Sequence, residues 1–357
     1  ARSIRSERGQ CVTTPSTRSG AGSDTLMYVF NFENNDGFSV IAANRAVDPV
    51  LAVAEKGNYT YGEPTGVENF DFYMDAMAQS LAVIKPPKFD TIRTTPKFKT
   101  VEVNESRSCD PLIPVRWGQR SPYGDYCSNG YSGCVATAIA QIMAYYRFPS
   151  SFTTTYTDAP HAGETIALNW TSIISYPYVY QVPALMREIG QRVEMTYHPI
   201  DENDMETGSS AFSYMAPDCL ISFGYSCASG LASYEIASIR TNLDETHPVY
   251  VRANDISEGG HAWIADGYIY SRIGTEYYEE ILIDNGLTLY YDYILTNSTV
   301  QTTNLVHYNW GWNGSCDGYF APGDGVASGN GYIFNGLQMI TSIRLPRIDS
   351  NLNQDFL

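Results

Sequence analysis

The chain has 357 residues, of which 43% are hydrophobic and 17% charged, and its formal net charge is −17. This composition predicts a globular protein of about two domains. The acidic balance excludes nucleic acid as a partner, because phosphate binding needs clustered Lys and Arg. We expect no membrane span, because the sequence has no run of 18 apolar residues, and the polar opening residues 1–10 do not resemble a signal peptide.

The first 105 residues differ in charge from the rest of the chain. They carry 11 of the 22 basic and 13 of the 39 acidic residues, which leaves 11 basic and 26 acidic residues for the remainder. Residues 85–108 contain prolines, lysines and threonines without hydrophobic periodicity, which is typical of a linker. We therefore expect an N-terminal unit at 1–105, with its linker at about 85–108, and a second domain at 106–357.

Short strands and one helix are predicted in the N-terminal unit. The apolar runs 28–32 and 38–43 flank an Asp-Gly pair, which is a strong hairpin signal, and 50–54 is a further strand candidate. Residues 70–83 carry apolar side chains at helical spacing. The pattern indicates a small α+β unit.

The second domain places helices before strands. Helices are predicted at 135–148, 183–189 and 233–243, and strands at 249–252, 261–265, 277–283, 305–309 and 331–334. Helices followed by strands are typical of an α+β fold, whereas alternation would indicate an α/β fold. We therefore expect an α+β domain.

Gly133-Cys134 immediately precedes the first helix of the second domain. A thiol at a helix N-terminus faces free backbone N–H groups and the positive end of the helix dipole. Both lower its pKa from about 8.5 toward neutrality or below, and the Cys134 N–H is placed to donate to a developing oxyanion. The pattern predicts either a nucleophile or a structural cysteine that caps a core helix.

Gly259-Gly260-His261 begins an apolar strand, which would hold the imidazole rigidly as a general base requires. The glycines allow another backbone to approach, so Gly260 is a predicted substrate-binding residue. The alternative is a half-buried histidine satisfied by its neighbours. His307 competes for the role of base but lacks flanking glycines.

Two further segments carry polar groups suited to such a site. Asn309-Trp310 follows a predicted strand. An Asn at this position is suited to accept the imidazole N–H, and a Trp is suited to shield that bond from water. The alternative is an aromatic turn in the core between strands. Gln119 lies upstream of the cysteine, and its side-chain amide is suited to binding an oxyanion. The chain order of these groups is that of papain-like proteases: a Gln, then a helix-capping Cys, then a His 127 residues later, then an Asn-Trp pair.

The motifs resemble a narrower family, the streptopain-type cysteine proteases. The matching segments of the second domain are 133–143, 259–262, 309–312, 317–320 and 331–338. In the N-terminal unit, residues 28–59 are similar to the inhibitory prodomain of that family. The resemblance implies a two-lobed papain-like domain, with a helical lobe and an antiparallel barrel-like sheet, behind a small α+β prodomain.

The resemblance also implies a function and its residues. The chain would be a secreted endopeptidase, extracellular or in a bacterial cell envelope, that acts on protein substrates and is activated by removal of a prodomain acting as an intramolecular inhibitor. No metal or organic cofactor is needed. The implied roles are Cys134 as nucleophile, His261 as general base, Trp310 and Asn309 as its supports, Gln119 with the Cys134 N–H as oxyanion hole, and Ser210 and Ala211 as cleft residues.

Three features depart from that family's pattern. Asn313 stands where the family commonly has Gly, acidic residues crowd positions 201–206, and Cys127 is an extra thiol seven residues before Cys134. We expect an altered loop near the histidine and an altered cleft wall, and a Cys127–Cys134 disulfide is a hypothesis for oxidising conditions. Activation is expected to cut between Lys97 and Ser108.

Two other functional classes remain open from the sequence. A Cys-His-Asn order also serves transglutaminase-like and arylamine acetyltransferase-like acyl transferases, against which the prodomain-like region argues. A binding protein, such as an adhesin or inhibitor, would keep the fold without catalysis, but it has no need of both Cys134 and His261.

Overall fold

The computed structural model describes residues 10–13, 25–44, 47–84, 97–199, 208–227, 230–255, 259–284, 289–322 and 337–345. The α-helices in these ranges are α1 Glu68–Val83, α2 Cys134–Tyr146, α3 Trp170–Ser175, α4 Gln181–Arg192, α5 Ala216–Ser222 and α6 Ile236–Asp244. The first strands are β1 Gln10–Thr13, β2 Thr25–Asn31, β3 Phe38–Ala42, β4 Val50–Ala54, β5 Phe98–Cys109, β6 Ser151–Thr153, β7 Thr165–Ala167 and β8 Thr196–Tyr197. The remaining strands are β9 Ser209–Ser210, β10 Ala232–Ser233, β11 Val249–Asp255, β12 Gly259–Asp284, β13 Leu289–Ser298, β14 Gln301–Asn309, β15 Gly318–Phe320 and β16 Gln338–Ile340.

One antiparallel sheet joins the N-terminal unit to the second domain. Its strand order is β1-β2-β3-β4-β15-β14-β12-β11-β16-β10, and β13 and β5 also pair with β12. The mixed α and β content is confirmed. The predicted order of helices before strands holds only for β11 to β16, because β5 precedes α2 and the short strands β6 to β10 lie between the helices. The predicted strand at 331–334 lies outside the described residues.

The N-terminal unit consists of β1 to β4 and α1. The predicted hairpin is confirmed, since β2 pairs with β3 from Met27 opposite Ala42 to Asn31 opposite Phe38. The predicted strand at 50–54 is β4, and the predicted helix at 70–83 begins two residues earlier than expected. The apolar stripe of α1 is buried against the sheet.

Part of the segment assigned to the linker is a strand, which corrects the expectation of a linker reaching to about residue 108. The β5 strand pairs with β12 continuously, from Phe98 opposite Glu279 to Cys109 opposite Tyr268. Most β5 side chains are exposed. Backbone pairing rather than side-chain burial therefore holds this strand, which explains why it has no hydrophobic periodicity.

Two hydrophobic cores lie on opposite faces of the sheet. The first packs α1 and β2 to β4 against the side chains of Trp263 and Ala265. Along β12 these side chains alternate with those that face the second core. The second packs α2, α4 and α5 against Ala262 and Ile264. No helix in the described ranges is long and apolar enough to cross a membrane.

A polar cluster lies where β4 meets β15 and β14. The His307 imidazole is only 3% exposed, and its Nδ1 lies 2.6 Å from Asp266 Oδ1. Its Nε2 makes no hydrogen bond and lies 3.8 Å from Glu55 Oε1. Glu55 Oε2 accepts a hydrogen bond of 2.5 Å from Arg116 Nη2. One N-terminal carboxylate therefore faces two basic groups of the second domain.

Asp317 adds a buried carboxyl group to this cluster. Its Oδ1 accepts the Trp310 N–H at 2.9 Å, and the Tyr319 ring lies 5.0 Å from the His307 ring. Burial raises the pKa of Asp317 to about 7. Burial lowers the pKa of His307, but the carboxylates of Asp266, Asp317 and Glu55 outweigh it, so the pKa of His307 is raised above its ordinary value.

We expect the free energy of unfolding to fall as pH rises from 5 to 8. Asp317 and His307 both bind protons more tightly in the folded than in the unfolded chain, so the stability that they contribute is lost as pH rises through their folded pKa values. For Asp317 this window runs from its ordinary 3.8 to about 7. The expected loss is on the order of 2 kcal/mol. Urea unfolding at pH 5 and at pH 8 measures this loss. Asp317→Asn should flatten the dependence of the free energy of unfolding on pH. A rise in stability between the two pH values would contradict the prediction.

Candidate active site

Cys134 is the first residue of α2, as the sequence predicts. Gly133 precedes it at φ +82°, a left-handed conformation that favours glycine. A Cβ at Gly133 would lie 2.8 Å from Met195 Cε and 3.2 Å from Ser209 Cβ. A glycine is therefore required for the chain to turn into the helix at this point.

The Cys134 thiol contacts the strand that carries His261. The Ala262 N–H lies near enough to the sulfur to lower the pKa of the thiol, and Ala262 is the residue that follows His261. Burial raises the pKa of Cys134 above its ordinary value, and the nearby Glu68 carboxylate raises it further. The hydrogen bonds from backbone N–H groups oppose these effects without overcoming them. The expected lowering of the cysteine pKa is therefore wrong for this state, because the thiol is buried and the Glu68 carboxylate of α1 lies near it.

The His261 side chain lies on the opposite face of β12 from Ala262. Side chains alternate along a strand, so His261 shares its face with Trp263, which packs in the core on the α1 side. The ring centroid of Phe72, on α1, lies 6.0 Å from that of His261. The structure thus brings Cys134 beside the histidine strand but turns the His261 side chain toward α1.

Helix α1 reaches the centre of this site through Asn69. The Asn69 side chain is 1% exposed, and its Nδ2 donates to the Ala262 carbonyl at 3.0 Å and to the Trp310 carbonyl at 3.4 Å. The sequence motifs did not point to Asn69. Its signal is a polar side chain on the apolar stripe of a helix, which only a specific buried partner makes favourable.

Asn309 and Trp310 do not take the positions expected for supports of the histidine. Asn309 Oδ1 accepts from Gln141 Nε2 and from the Gly311 N–H, both at 3.1 Å, and its Nδ2 donates to the Val115 carbonyl at 3.1 Å. Both lone pairs of the oxygen are used, so it does not accept the imidazole N–H here.

The Trp310 ring packs with other aromatic rings. Its centroid lies 5.2 Å from Phe320, 5.3 Å from Trp263 and 5.6 Å from Tyr73. The ring nearest the imidazole is that of Phe72 rather than Trp310. The expectation that Trp310 packs over His261 is therefore wrong for this arrangement, in which α1 supplies the aromatic contact.

Gln119 is buried in the loop that leads to Cys134. Its carbonyl accepts from the Ser132 N–H at 2.9 Å and from the Ser132 hydroxyl at 3.2 Å, which ties the two ends of the loop together. Gln141, on α2, accepts the Trp117 N–H at 3.0 Å and donates to Asn309. No role for Gln141 follows from the sequence motifs, yet this side chain joins the segments of Gln119 and Asn309 to the helix of Cys134.

The predicted cleft residues lie in or beside short strands. Ser209–Ser210 pairs with Thr196–Tyr197, and Ser210 Oγ lies 2.8 Å from His198 Nε2. The neighbouring Ser209 is the serine that contacts the Gly133 turn. Ala211 packs against the helical core, and Gly260 is exposed opposite Asn254. The acidic positions 201–206 lie outside the described residues.

Two departures from the family pattern have specific surroundings. Asn313 adopts φ +56°, a left-handed conformation that Asn tolerates. The Asn313 side chain packs against Gly118, since a Cβ at Gly118 would lie 2.6 Å from Asn313 Nδ2. Asn313 therefore adjoins the segment that contains Gln119. Cys127 is buried, and neither Cys127 nor Cys134 is in a disulfide. The hypothetical Cys127–Cys134 bond is not formed.

Comparison with known proteins gives matches in both parts of the chain. Residues 117–320 match the family model described as the Peptidase C10 family, and residues 2–81 match the one described as Spi protease inhibitor. Streptopain from Streptococcus pyogenes is 24% identical, over 88% of this chain and 80% of its own length. Thiol protease/hemagglutinin PrtT from Porphyromonas gingivalis is 25% identical over 86% of this chain, and the matched region covers 36% of the length of PrtT.

A solved structure shares the fold. The chain of a Prevotella intermedia prointerpain A mutant fragment superposes with a TM-score of 0.56 at 21% identity, covering 95% of this chain and all of the other. The resemblance to streptopain-type proteases, drawn from the sequence motifs, is confirmed. The similarity of the N-terminal unit to an inhibitory domain is also confirmed.

Proposed function

Because this chain belongs to the peptidase C10 family and carries an N-terminal inhibitor domain, we propose that Cys134 and His261 are the catalytic pair of its cysteine endopeptidase activity. The observation that carries this assignment is the position of Cys134 at the N-terminus of α2, with the Ala262 N–H near enough to the sulfur to lower the pKa of the thiol. This proximity links the N-terminus of α2 to the strand position next to His261. The acyl-transferase and binding-protein alternatives are not retained, since the family is one of peptidases.

The proposed reaction is acyl transfer to the thiol. The Cys134 thiolate attacks a peptide carbonyl carbon, and the Cys134 N–H and the Gln119 amide stabilise the oxyanion. His261 takes the thiol proton and gives it to the leaving amine. Water then hydrolyses the thioester and releases the second product. In this scheme Ser210, Ala211 and Gly260 line the substrate cleft, between a helical lobe and a sheet lobe of papain type.

The chain is a zymogen, and we propose that α1 keeps the catalytic pair apart. Asn69 occupies the backbone carbonyls beside the thiol, and Phe72 holds the imidazole on the far face of β12. Departure of α1 would allow the start of β12 to rearrange so that His261 reaches Cys134, and it would remove Glu68 from the thiol. The loss of both burial and a negative charge would lower the pKa of Cys134 toward the range of reactive thiols.

We place the prodomain at 1–105 and the peptidase domain at 106–357, and we propose that the enzyme is secreted. The activating cut is expected between Lys97 and Ser108. The Lys97 side chain is 81% exposed, although its carbonyl accepts the Glu280 N–H at 2.9 Å and its Nζ lies 3.3 Å from Glu280 Oε2. Lys97 thus lies at the end of the ladder that β5 forms with β12. The ends of a ladder open most easily and proteases bind extended unpaired chain, so the cut is favoured near Lys97. Sequencing the N-terminus of the mature form tests this placement.

A casein digestion time course in reductant tests the proposed function. The wild-type chain is expected to shorten and then digest casein, whereas Cys134→Ala is expected to do neither by itself. Cys109→Ser is the matched control, because Cys109 is a partly buried thiol at the end of β5 and should be dispensable. If no processed form of the wild-type chain digests casein, or if Cys134→Ala digests it normally, the proposal is wrong.

A further inference from the structure

The N-terminal strand β4 lies on β15 as an extended peptide would. Ala52, Val53 and Ala54 pair antiparallel with Phe320, Tyr319 and Gly318 respectively. The Glu55 N–H continues the ladder by donating to the Asp317 carbonyl at 3.0 Å. A Cβ at Gly318 would lie 2.3 Å from the Val53 carbonyl oxygen. The peptidase domain thus uses a glycine where the incoming backbone approaches most closely.

The end of this strand meets two basic groups. Glu55 Oε2 lies 2.5 Å from Arg116 Nη2, and its Oε1 lies 3.8 Å from His307 Nε2. Asp266 fixes the other ring nitrogen of His307 at 2.6 Å. His307 Nε2 is buried, has no hydrogen bond and is directed at the Glu55 carboxylate. In the protonated imidazole Nε2 is a donor, and a buried donor without a hydrogen bond beside an arginine is suited to an anion.

The site is also held in place by its surroundings. A Cβ at Gly314 would lie 2.7 Å from Arg116 Cδ, so the absence of a side chain there lets the arginine stem lie against the loop. The Tyr319 ring contacts the His307 ring at a centroid distance of 5.0 Å. Arg116 and His307 both belong to the peptidase domain, whereas Glu55 belongs to the inhibitor domain.

We propose that Arg116 and His307 form a carboxylate-binding site beside β15, filled by Glu55 in the zymogen and open in the mature peptidase to an acidic, extended peptide segment. The opening of the site rests on the proposed removal of the prodomain. When β4 leaves, the outer edge of β15 has unpaired N–H and C=O groups, which favour addition of a strand. The basic pair then selects a segment whose carboxylate follows small or apolar residues, as in Leu51 to Glu55.

This site is separate from the proposed catalytic pair. Glu55 and β4 contact β15, whereas Cys134 contacts β12 through Ala262. An acidic segment bound here would hold a protein substrate, or a peptide inhibitor, at a second point on the enzyme. We expect short substrates that do not reach β15 to be cleaved without any preference for a remote acidic residue.

Rescue by a small carboxylate tests the site in the full-length chain. In a Cys134→Ala background, which removes self-digestion, Glu55→Ala opens a space for acetate beside Arg116. We expect Glu55→Ala to lower the midpoint of thermal unfolding by about 2–4 °C. Sodium acetate should recover most of this loss, and sodium chloride at equal ionic strength should not.

Two variants sharpen this test. Glu63→Ala removes an exposed carboxylate of the same domain and should neither lower the midpoint nor respond to acetate. Adding Arg116→Met to Glu55→Ala should abolish the response to acetate. Equal responses to acetate and chloride would overturn the site. If Glu55→Ala does not fold, Glu55→Gln takes its place, because it keeps the shape of the side chain. The loss of stability that Glu55→Gln causes must then vanish in the Arg116→Met background.

Peptide binding tests the use of the site by the mature form. The full chain is matured, by an added protease if necessary, and its thiol is alkylated to prevent digestion. A fluorescent peptide with the sequence of residues 49–58 should bind about tenfold more tightly than the same peptide with Glu55→Gln. Equal affinity, or no binding of either peptide, would overturn the proposal. Failure of the enzyme to digest casein would contradict the proposed function but would leave the acetate result readable.

Discussion

Replacement of His261 by alanine is expected to lower kcat/KM of the mature enzyme by about 10⁴-fold, the scale of losing a general base that acts as a unit with its nucleophile. The variant should not mature by itself, so the prodomain is removed with an added protease before the assay. Initial rates on a short peptide substrate measure the effect. The folded state is checked by thermal unfolding, because His261 is only partly buried and its loss should leave the core intact.

The matched control is His161→Ala. The His161 imidazole is partly exposed, stacks on Tyr180 at 4.5 Å and pairs with Glu164 at 2.9 Å, remote from the proposed catalytic residues. It should retain the wild-type rate. Substantial activity in His261→Ala would show that another group is the base. His307 is a poor substitute, since its ring is buried against Tyr319 and its Nε2 lies beside Glu55.

Replacement of Asn69 by alanine is expected to accelerate maturation by about 10- to 100-fold. The change leaves the buried carbonyls of Ala262 and Trp310 without the donor that α1 supplies, at a cost of about 1–3 kcal/mol. The cost falls on the docked state of α1, because water satisfies both carbonyls once the helix leaves. The lag before casein digestion at fixed protein concentration measures the effect.

Gln79→Ala is the control on the same helix. Gln79 lies in the same helix as Asn69 but is exposed, so the lag should be unchanged. An Asn69→Ala chain with the wild-type lag would contradict the role of this contact in latency. A longer lag would indicate instead that Asn69 positions the peptidase domain for its own maturation, which the structure does not support.

Latency and the carboxylate site depend on different contacts of the inhibitor domain. Asn69 and Phe72 act on the catalytic strand, whereas Glu55 acts on Arg116 and His307 at the other side of the shared sheet. Because these contacts do not share partners, their effects on release of the prodomain should be nearly additive. Maturation of the double variant Asn69→Ala/Glu55→Ala should therefore be faster than that of either single variant.

Local chemistry was sufficient to predict the elements that carry the proposed catalytic pair. Gly133-Cys134 before an apolar helical stripe specifies a thiol at a helix N-terminus, and Gly259-Gly260-His261 before alternating apolar residues specifies a histidine at a strand start. The hairpin before β4 likewise follows from turn residues between two apolar runs. These features depend on neighbours in sequence, which is why they are legible without a structure.

Contacts between distant segments were decided only by the tertiary structure. The sequence assigned Asn309 and Trp310 to the histidine, but Gln141 binds the first and the aromatic core takes the second. Nothing in the local pattern of β5 predicted a strand, because β12 supplies its hydrogen bonds.

The same reason explains the residues that the sequence analysis missed. Asn69 lies 193 residues from its partner Ala262, and Glu55 lies 61 residues from Arg116. A polar side chain acquires such a role only when folding removes water and brings one specific partner to it. The sequence by itself therefore determined the family and the mixed α and β content of this protein, and it predicts Cys134 and His261 as the reactive residues. The tertiary structure decided which contacts the inhibitor domain makes, at the strand of His261 through Asn69 and Phe72 and at Arg116 through Glu55.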